Sequence, residues 1–238
     1  MEAFRAIESA ASSASGRLAL WSSVINYLQL ATTAEIGVGA GTFARHILEQ
    51  CSTVERYYMI DPWRHLDNWN KPANKTDREF AKRKQRALAL TQFAEHRRIV
   101  LEGTTTEVSH QLPDGSLDLA YIDGDHTLRG ITIDLIRIWP KMRHGGVIAG
   151  DDFCPSIWNH PIRFEPTLVF PLAVHFAEAV DCVIYGLPFN QFVIVIERPP
   201  ATGFEFRDLT NQYTSSEVRD ALAKKSGRQT QRTSRHWR

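Results

Sequence analysis

The stretch that most constrains the fold is "TAEIGVGAGTFARHILEQC", residues 33–51. A short apolar run enters a turn with glycine at 37, 39 and 41, and Phe43, Ile47 and Leu48 then repeat at the spacing of one helix face. Glycine lets a backbone turn sharply and approach a ligand closely, because no Cβ stands in the way. A second apolar run, "RYYMID" (56–61), follows after a short connection. Strand, tight turn, helix and strand in that order make a βαβ unit with a right-handed crossover.

The same rhythm continues at "RIVLE" (98–102), "LDLAYID" (117–123), "GGVIAG" (145–150), "DCVIYG" (181–186) and "FVIVIER" (192–198). Helical spacing of Leu128, Ile131, Leu135 and Ile138 fills the gap before the fifth strand, and "TLVFPLAVHFAEAV" predicts another helix before the sixth. Only "LPFN" separates the last two strands, too short for a crossover helix, so they should pair antiparallel. Near-continuous apolar strands alternating with helices predict a doubly wound α/β sheet with helices on both faces. In such sheets ligands bind beyond the carboxyl ends of the strands, where strand order reverses. We read one domain over 33–198, an N-terminal helical segment over 1–32 that caps the fold or builds a dimer face, and a basic, flexible tail over 199–238.

Composition narrows the partners. Lys plus Arg total 28 against 27 Asp plus Glu, which gives no reason to expect nucleic acid. The exception is the end of the chain, where Lys224, Lys225, Arg228, Arg232, Arg235 and Arg238 run without an acid; a solvated tail is the simplest reading. Cys51, Cys154 and Cys182 are far apart and form no CxxC pair, so neither a zinc site nor a disulfide framework is expected, and a reducing, cytoplasmic setting follows. No window approaches the length of a membrane span.

Glu35 precedes the first glycine, and Asp61 ends the second strand about twenty residues on, placed to accept hydrogen bonds from both hydroxyls of a ribose. A pyrophosphate fingerprint would need a sixth-position glycine where Thr42 stands, so a dinucleotide is not the expected ligand. Here the sequence resembles the class I S-adenosylmethionine-dependent methyltransferases. That resemblance implies a Rossmann-like seven-stranded sheet in the order 3-2-1-4-5-7-6 with the last strand antiparallel. It also implies that Glu35, Gly37, Gly39 and Gly41 form the cofactor turn, that Asp61 holds the ribose, and that Thr104 and Thr105 lie near the adenine.

With the fourth and fifth strands adjacent at about 4.8 Å, Asp123 in "YIDGDH" and Asp151 and Asp152 in "GGVIAGDDF" converge on one point. Three carboxylates that close repel unless a cation joins them, and a hard divalent ion such as Mg²⁺ would serve. The motifs resemble the metal-dependent O-methyltransferases of the catechol and caffeoyl-CoA type, and still more the bacterial small-molecule and sugar O-methyltransferases. By that resemblance Asp123, Asp151 and Asp152 bind the metal, and His126 stands where the catechol type has a lysine base. A histidine, with an ordinary pKa near 6.5, takes a proton from a hydroxyl at neutral pH. Asp125 is read as an N-cap for the following helix or an orienting partner for His126. The expected reaction is methylation of a hydroxyl on a small-molecule acceptor. A metal-independent methyltransferase acting on nitrogen or a macromolecule, and a non-catalytic binding module, are the alternatives. Trp158, Asn159, His160 and Arg163 fall on the expected rim, but no acceptor-binding residue is assigned.

Overall fold

The structure, a computed structural model, describes residues 2–197 and 203–213. Two helices, α1 (Glu2–Ser13) and α2 (Arg17–Leu28), come first. The chain then runs through β1 (Thr32–Ile36), α3 (Thr42–Gln50), β2 (Arg56–Asp61), α4 (Asp77–Leu90), β3 (Arg98–Glu102), α5 (Thr105–Val108) and β4 (Leu117–Ile122). After α6 (Leu128–Ile138) and β5 (Met142–Gly150) it closes with α7 (Val169–Ala179), β6 (Val183–Leu187), β7 (Gln191–Val195) and β8 (Glu205–Asp208).

The strands form one sheet in the order β3-β2-β1-β4-β5-β7-β6-β8. The order and the antiparallel placement of β7, between β5 and β6, are those expected from the sequence. The sheet has eight strands rather than seven, because β8 adds a parallel edge beside β6. Its sequence, Glu-Phe-Arg-Asp, carries one apolar residue among charges, the composition of a solvated edge rather than a core strand. The buried Tyr213 pins this segment by donating its hydroxyl to Phe153 O. The basic run from Lys224 onward lies outside the described residues.

Successive strand residues feed opposite faces. On one face Tyr57, Met59, Tyr121 and Val147 pack against Ile7 of α1, Trp21 and Ile25 of α2, and Phe43 and Ile47 of α3. On the other, Ile60, Ile122, Ile148 and Ile194 meet Val108 of α5, Ile131 and Leu135 of α6, and Ala173 of α7. The N-terminal helices thus share the core of the sheet. Cys51, Cys154 and Cys182 are free thiols. Among the described residues no helix is long and apolar enough to cross a membrane. From β1 the chain moves to β2 and β3 on one side and to β4 on the other, so the ends of β1 and β4 mark the crevice where a ligand fits.

Candidate active site

The glycine turn after β1 is shaped by its neighbours. Gly37 has φ +92°, and a Cβ there would lie 2.1 Å from the Asp123 carbonyl oxygen, so glycine alone fits. The turn is pinned on both sides, Gly37 N donating to Ile60 O at 2.9 Å and Asp123 N donating to Ile36 O at 2.7 Å. Asp61 accepts from Gly39 N at 2.8 Å and from Trp63 N at 2.7 Å, which holds its carboxylate at the mouth of the turn. Burial raises the Asp61 pKa, and the two amide hydrogen bonds act against that rise. Gly37, Gly39, Asp61, Thr104, Thr105 and Asp123 line one cavity. Thr104 begins α5 in a capping box with Glu107, while the Thr105 hydroxyl donates to Asp134 Oδ1. Asp134 is 6% exposed, and burial pushes its pKa up to about 7 against the Thr105 hydrogen bond. It lines this cavity and an adjoining one, along with Trp69, Thr104, Thr105 and Asp125.

Two residues expected at the cofactor, Glu35 and Gly41, line neither of these cavities. Glu35 is 1% exposed and accepts the Tyr57 hydroxyl at 2.8 Å. Burial pushes its pKa up to about 8, the Tyr57 hydrogen bond opposing. Glu35 points away from the turn because strand residues alternate faces, and its face is the one Tyr57 shares. Gly41 is left-handed at the start of α3 and packs on α4, where a Cβ would lie 2.7 Å from Ala87 Cα.

At the ends of β4 and β5 the expected acids do come together, each with a protein partner. Asp152 Oδ2 lies 2.6 Å from His126 Nδ1, and Asp123 Oδ1 lies 3.7 Å from His126 Nε2. His126 Nε2 is buried without a hydrogen-bond partner among the described residues. Burial lowers the His126 pKa, but the Asp152 hydrogen bond and the charges of Asp123 and Asp152 outweigh it and leave it raised. The same contact outweighs burial at Asp152 and leaves that carboxyl below its usual range. Asp151 Oδ1 accepts from Gln191 Nε2 at 2.6 Å and from Asp152 N at 2.8 Å. Its Oδ2 meets Arg17 Nη1, which also reaches Asp123 Oδ2 at 3.3 Å. Arg17 belongs to the first turn of α2 and is a residue that sequence reading missed.

The Mg²⁺ expected between Asp123, Asp151 and Asp152 does not fit this arrangement. Among the described residues no group of three or more His, Cys, Asp or Glu could hold a metal ion. The physical reason is that a guanidinium bridges two of the acids, and His126 takes the third. Asp125 is not the cap of α6. Thr127 is, accepting from Gly130 N at 3.2 Å, while Asp125 Oδ1 accepts from Thr127 N at 3.0 Å and shapes the turn before it.

Sequence reading also missed Lys71. It is 6% exposed and its ammonium donates to Glu165 O at 2.9 Å, Pro166 O at 3.0 Å and Thr167 Oγ1 at 3.0 Å. Asn70 adds bonds to Glu165 and to Arg163 O, so the loops after β2 and β5 are fastened together. A lysine inside a polar loop carries no signal in the sequence that it will be buried. Trp158, Asn159, His160 and Arg163 line neither cavity described above.

A family model described as a methyltransferase domain matches residues 34–153, about half of the chain. No curated protein matches the sequence. Among solved structures, a Staphylococcus aureus protein assigned as a caffeoyl-CoA O-methyltransferase is 17% identical, with 76% of this chain and 82% of that one covered at a TM-score of 0.57. A Corynebacterium glutamicum protein is 18% identical over 82% of this chain and 89% of that one, at 0.55. A Thermotoga maritima spermidine synthase is 11% identical over 85% and 74%, at 0.50. At these identities the structures share the fold.

Proposed function

Because the chain belongs to the methyltransferase-domain family and uses S-adenosylmethionine, we propose that it moves the sulfonium methyl to a hydroxyl of a small molecule, with His126 as general base. The observation that carries this reading is the state of the imidazole. Nδ1 is held by Asp152 at 2.6 Å, while Nε2 has no hydrogen-bond partner among the described residues. That is the geometry of a base whose tautomer and orientation are fixed from behind. Asp123, 3.7 Å from Nε2, lines the same cavity as Asp61 and the glycine turn. A methyl donor held by Asp61 and an acceptor beside His126 would therefore meet at the ends of β1 and β4.

The sulfonium methyl is already electrophilic, so alignment and exclusion of water supply most of what is needed. The acceptor O–H bond breaks toward His126 Nε2, the oxygen–methyl bond forms, and the methyl–sulfur electron pair stays on sulfur. Asp152 and Asp123 then stabilise the imidazolium until its proton leaves to solvent. Lys71 and Asn70 fasten loops 62–76 and 154–168 to each other, and this supports an acceptor of small size. No step in this reading runs through a divalent cation.

A screen of small hydroxylated compounds, read out as S-adenosylhomocysteine formed, tests the reaction. With an acceptor in hand, His126→Ala is expected to lower turnover by about 10²–10⁴-fold while sparing cofactor affinity. Unchanged turnover, or a screen in which only amines are methylated, overturns the reading.

A further inference from the structure

The buried stripe of α2 is Leu20, Trp21, Val24 and Ile25. Arg17 lies four residues before Trp21 and so continues that stripe by one turn, a charge in line with an apolar face. Such a placement needs a counter-charge within reach. Trp21 fixes the helix, its indole N–H donating to Gln191 Oε1 at 2.8 Å, and Gln191 in turn donates to Asp151 at 2.6 Å. Tyr121 donates to the same Gln191 oxygen at 2.8 Å. Trp21 and Gln191 are fully buried, so the framework that aims Arg17 at Asp151 and Asp123 is a built one.

We propose that Arg17 is an internal cation standing where the sequence resemblance implies a divalent metal, and that the strand-end acids of this chain work without one. One guanidinium nitrogen, Nη1, reaches both carboxylates. Among the described residues Nε and Nη2 have no hydrogen-bond partner, and the side chain is 36% exposed, so donors remain for an acceptor oxygen. Guanidinium stays charged at any pH the fold survives and presents its donors in a rigid fork. It offers charge and direction to an oxygen that is losing its proton. It cannot coordinate that oxygen as a metal does, which leaves proton removal to His126. The inference concerns the same strand ends as the proposed O-methylation but does not depend on turnover.

Paramagnetic resonance of Mn²⁺, a hard cation for oxygen ligands, reads this directly. Titrated with the full-length wild-type protein at neutral pH, Mn²⁺ is expected to keep its free signal up to millimolar protein. Arg17→Ala removes the repelling charge and frees two carboxylates, so binding of one Mn²⁺ should tighten at least about tenfold. The double variant Arg17→Ala with Asp151→Asn should lose that gain. Arg17→Gln, closer in length, replaces Arg17→Ala if the smaller side chain unfolds the protein by circular dichroism. Submillimolar Mn²⁺ binding by the wild type overturns the proposal, as does a folded Arg17 variant that gains nothing. A failed acceptor screen would sink the O-methylation reading and leave the Mn²⁺ result standing, so the two failures are distinguishable.

Discussion

Glu35→Gln is expected to make the protein more stable than wild type in alkali while leaving it no more stable in acid. Glu35 is 1% exposed with its carboxyl on the Tyr57 hydroxyl, and its pKa stands at about 8 against 4.5 for the free side chain. The folded state therefore keeps a proton that the unfolded state gives up. Below pH 4.5 both states are protonated and nothing is lost. Between pH 4.5 and 8 the unfolded chain ionises first, and stability falls as pH rises; above pH 8 both are ionised and the loss is complete. At about 1.36 kcal/mol per pH unit, the interval from pH 5 to 9 covers nearly three effective units, or about 4 kcal/mol. Glutamine keeps an oxygen for Tyr57 and has no proton to lose. The assay is urea unfolding of both proteins at pH 5, 7 and 9, taking the difference at each pH so that every other titrating group cancels. The difference should move by about 4 kcal/mol in favour of the variant between the extremes. Parallel stability curves would refute the buried, protonated carboxyl and return Glu35 to the list of ionised groups available to a cofactor.

Asp134→Asn should show the same sign over a lower window, between about pH 4 and 7, because its pKa is raised to about 7 by burial; a difference constant across that window in the same unfolding assay counts against it. Gly37→Ala puts a Cβ 2.1 Å from the Asp123 carbonyl at a left-handed φ, and should cost at least about 3 kcal/mol in unfolding free energy as well as cofactor binding. A near-neutral effect there would mean that the turn is not held against Asp123. Trp21→Phe removes one of the two donors to Gln191 Oε1 and part of a buried ring, an expected loss of about 2 kcal/mol by denaturant titration, which an exposed tryptophan would not show.

The sheet was legible because its signals are local. Apolar strands, the glycine turn and the four-residue link "LPFN" each state their geometry within a few residues, and the strand order came from the family resemblance. Asp61, Asp123, Asp151 and Asp152 were legible for the same reason, each closing a strand whose end the pattern marks. What those acids bond to was not. Arg17 is 106 residues from Asp123 and 134 from Asp151, and only the packing of α2 on β4 and β7 brings it there. The signal was an arginine in register with Trp21, Val24 and Ile25, overlooked because the N-terminal helices lie outside the family motifs. Glu35 illustrates the converse. Its place before the glycines suggested a ligand contact, but the alternation of β1 turns it into the core beside Tyr57. Asp125 and Thr127 compete for one helix start, and spacing alone does not say which hydrogen-bonds where.

The central claim is that the crevice at the ends of β1, β2 and β4 holds the methyl donor, with Asp61 on its ribose and His126 beside the acceptor. Calorimetric titration of S-adenosylhomocysteine into wild type, His126→Ala and Asp61→Ala tests it most directly. Saturable binding by the first two is predicted, with affinity for Asp61→Ala roughly ten- to a hundredfold weaker, the worth of one charged hydrogen bond to a ribose hydroxyl. No heat with the wild type up to millimolar ligand, or a folded Asp61→Ala that binds as tightly, would contradict it.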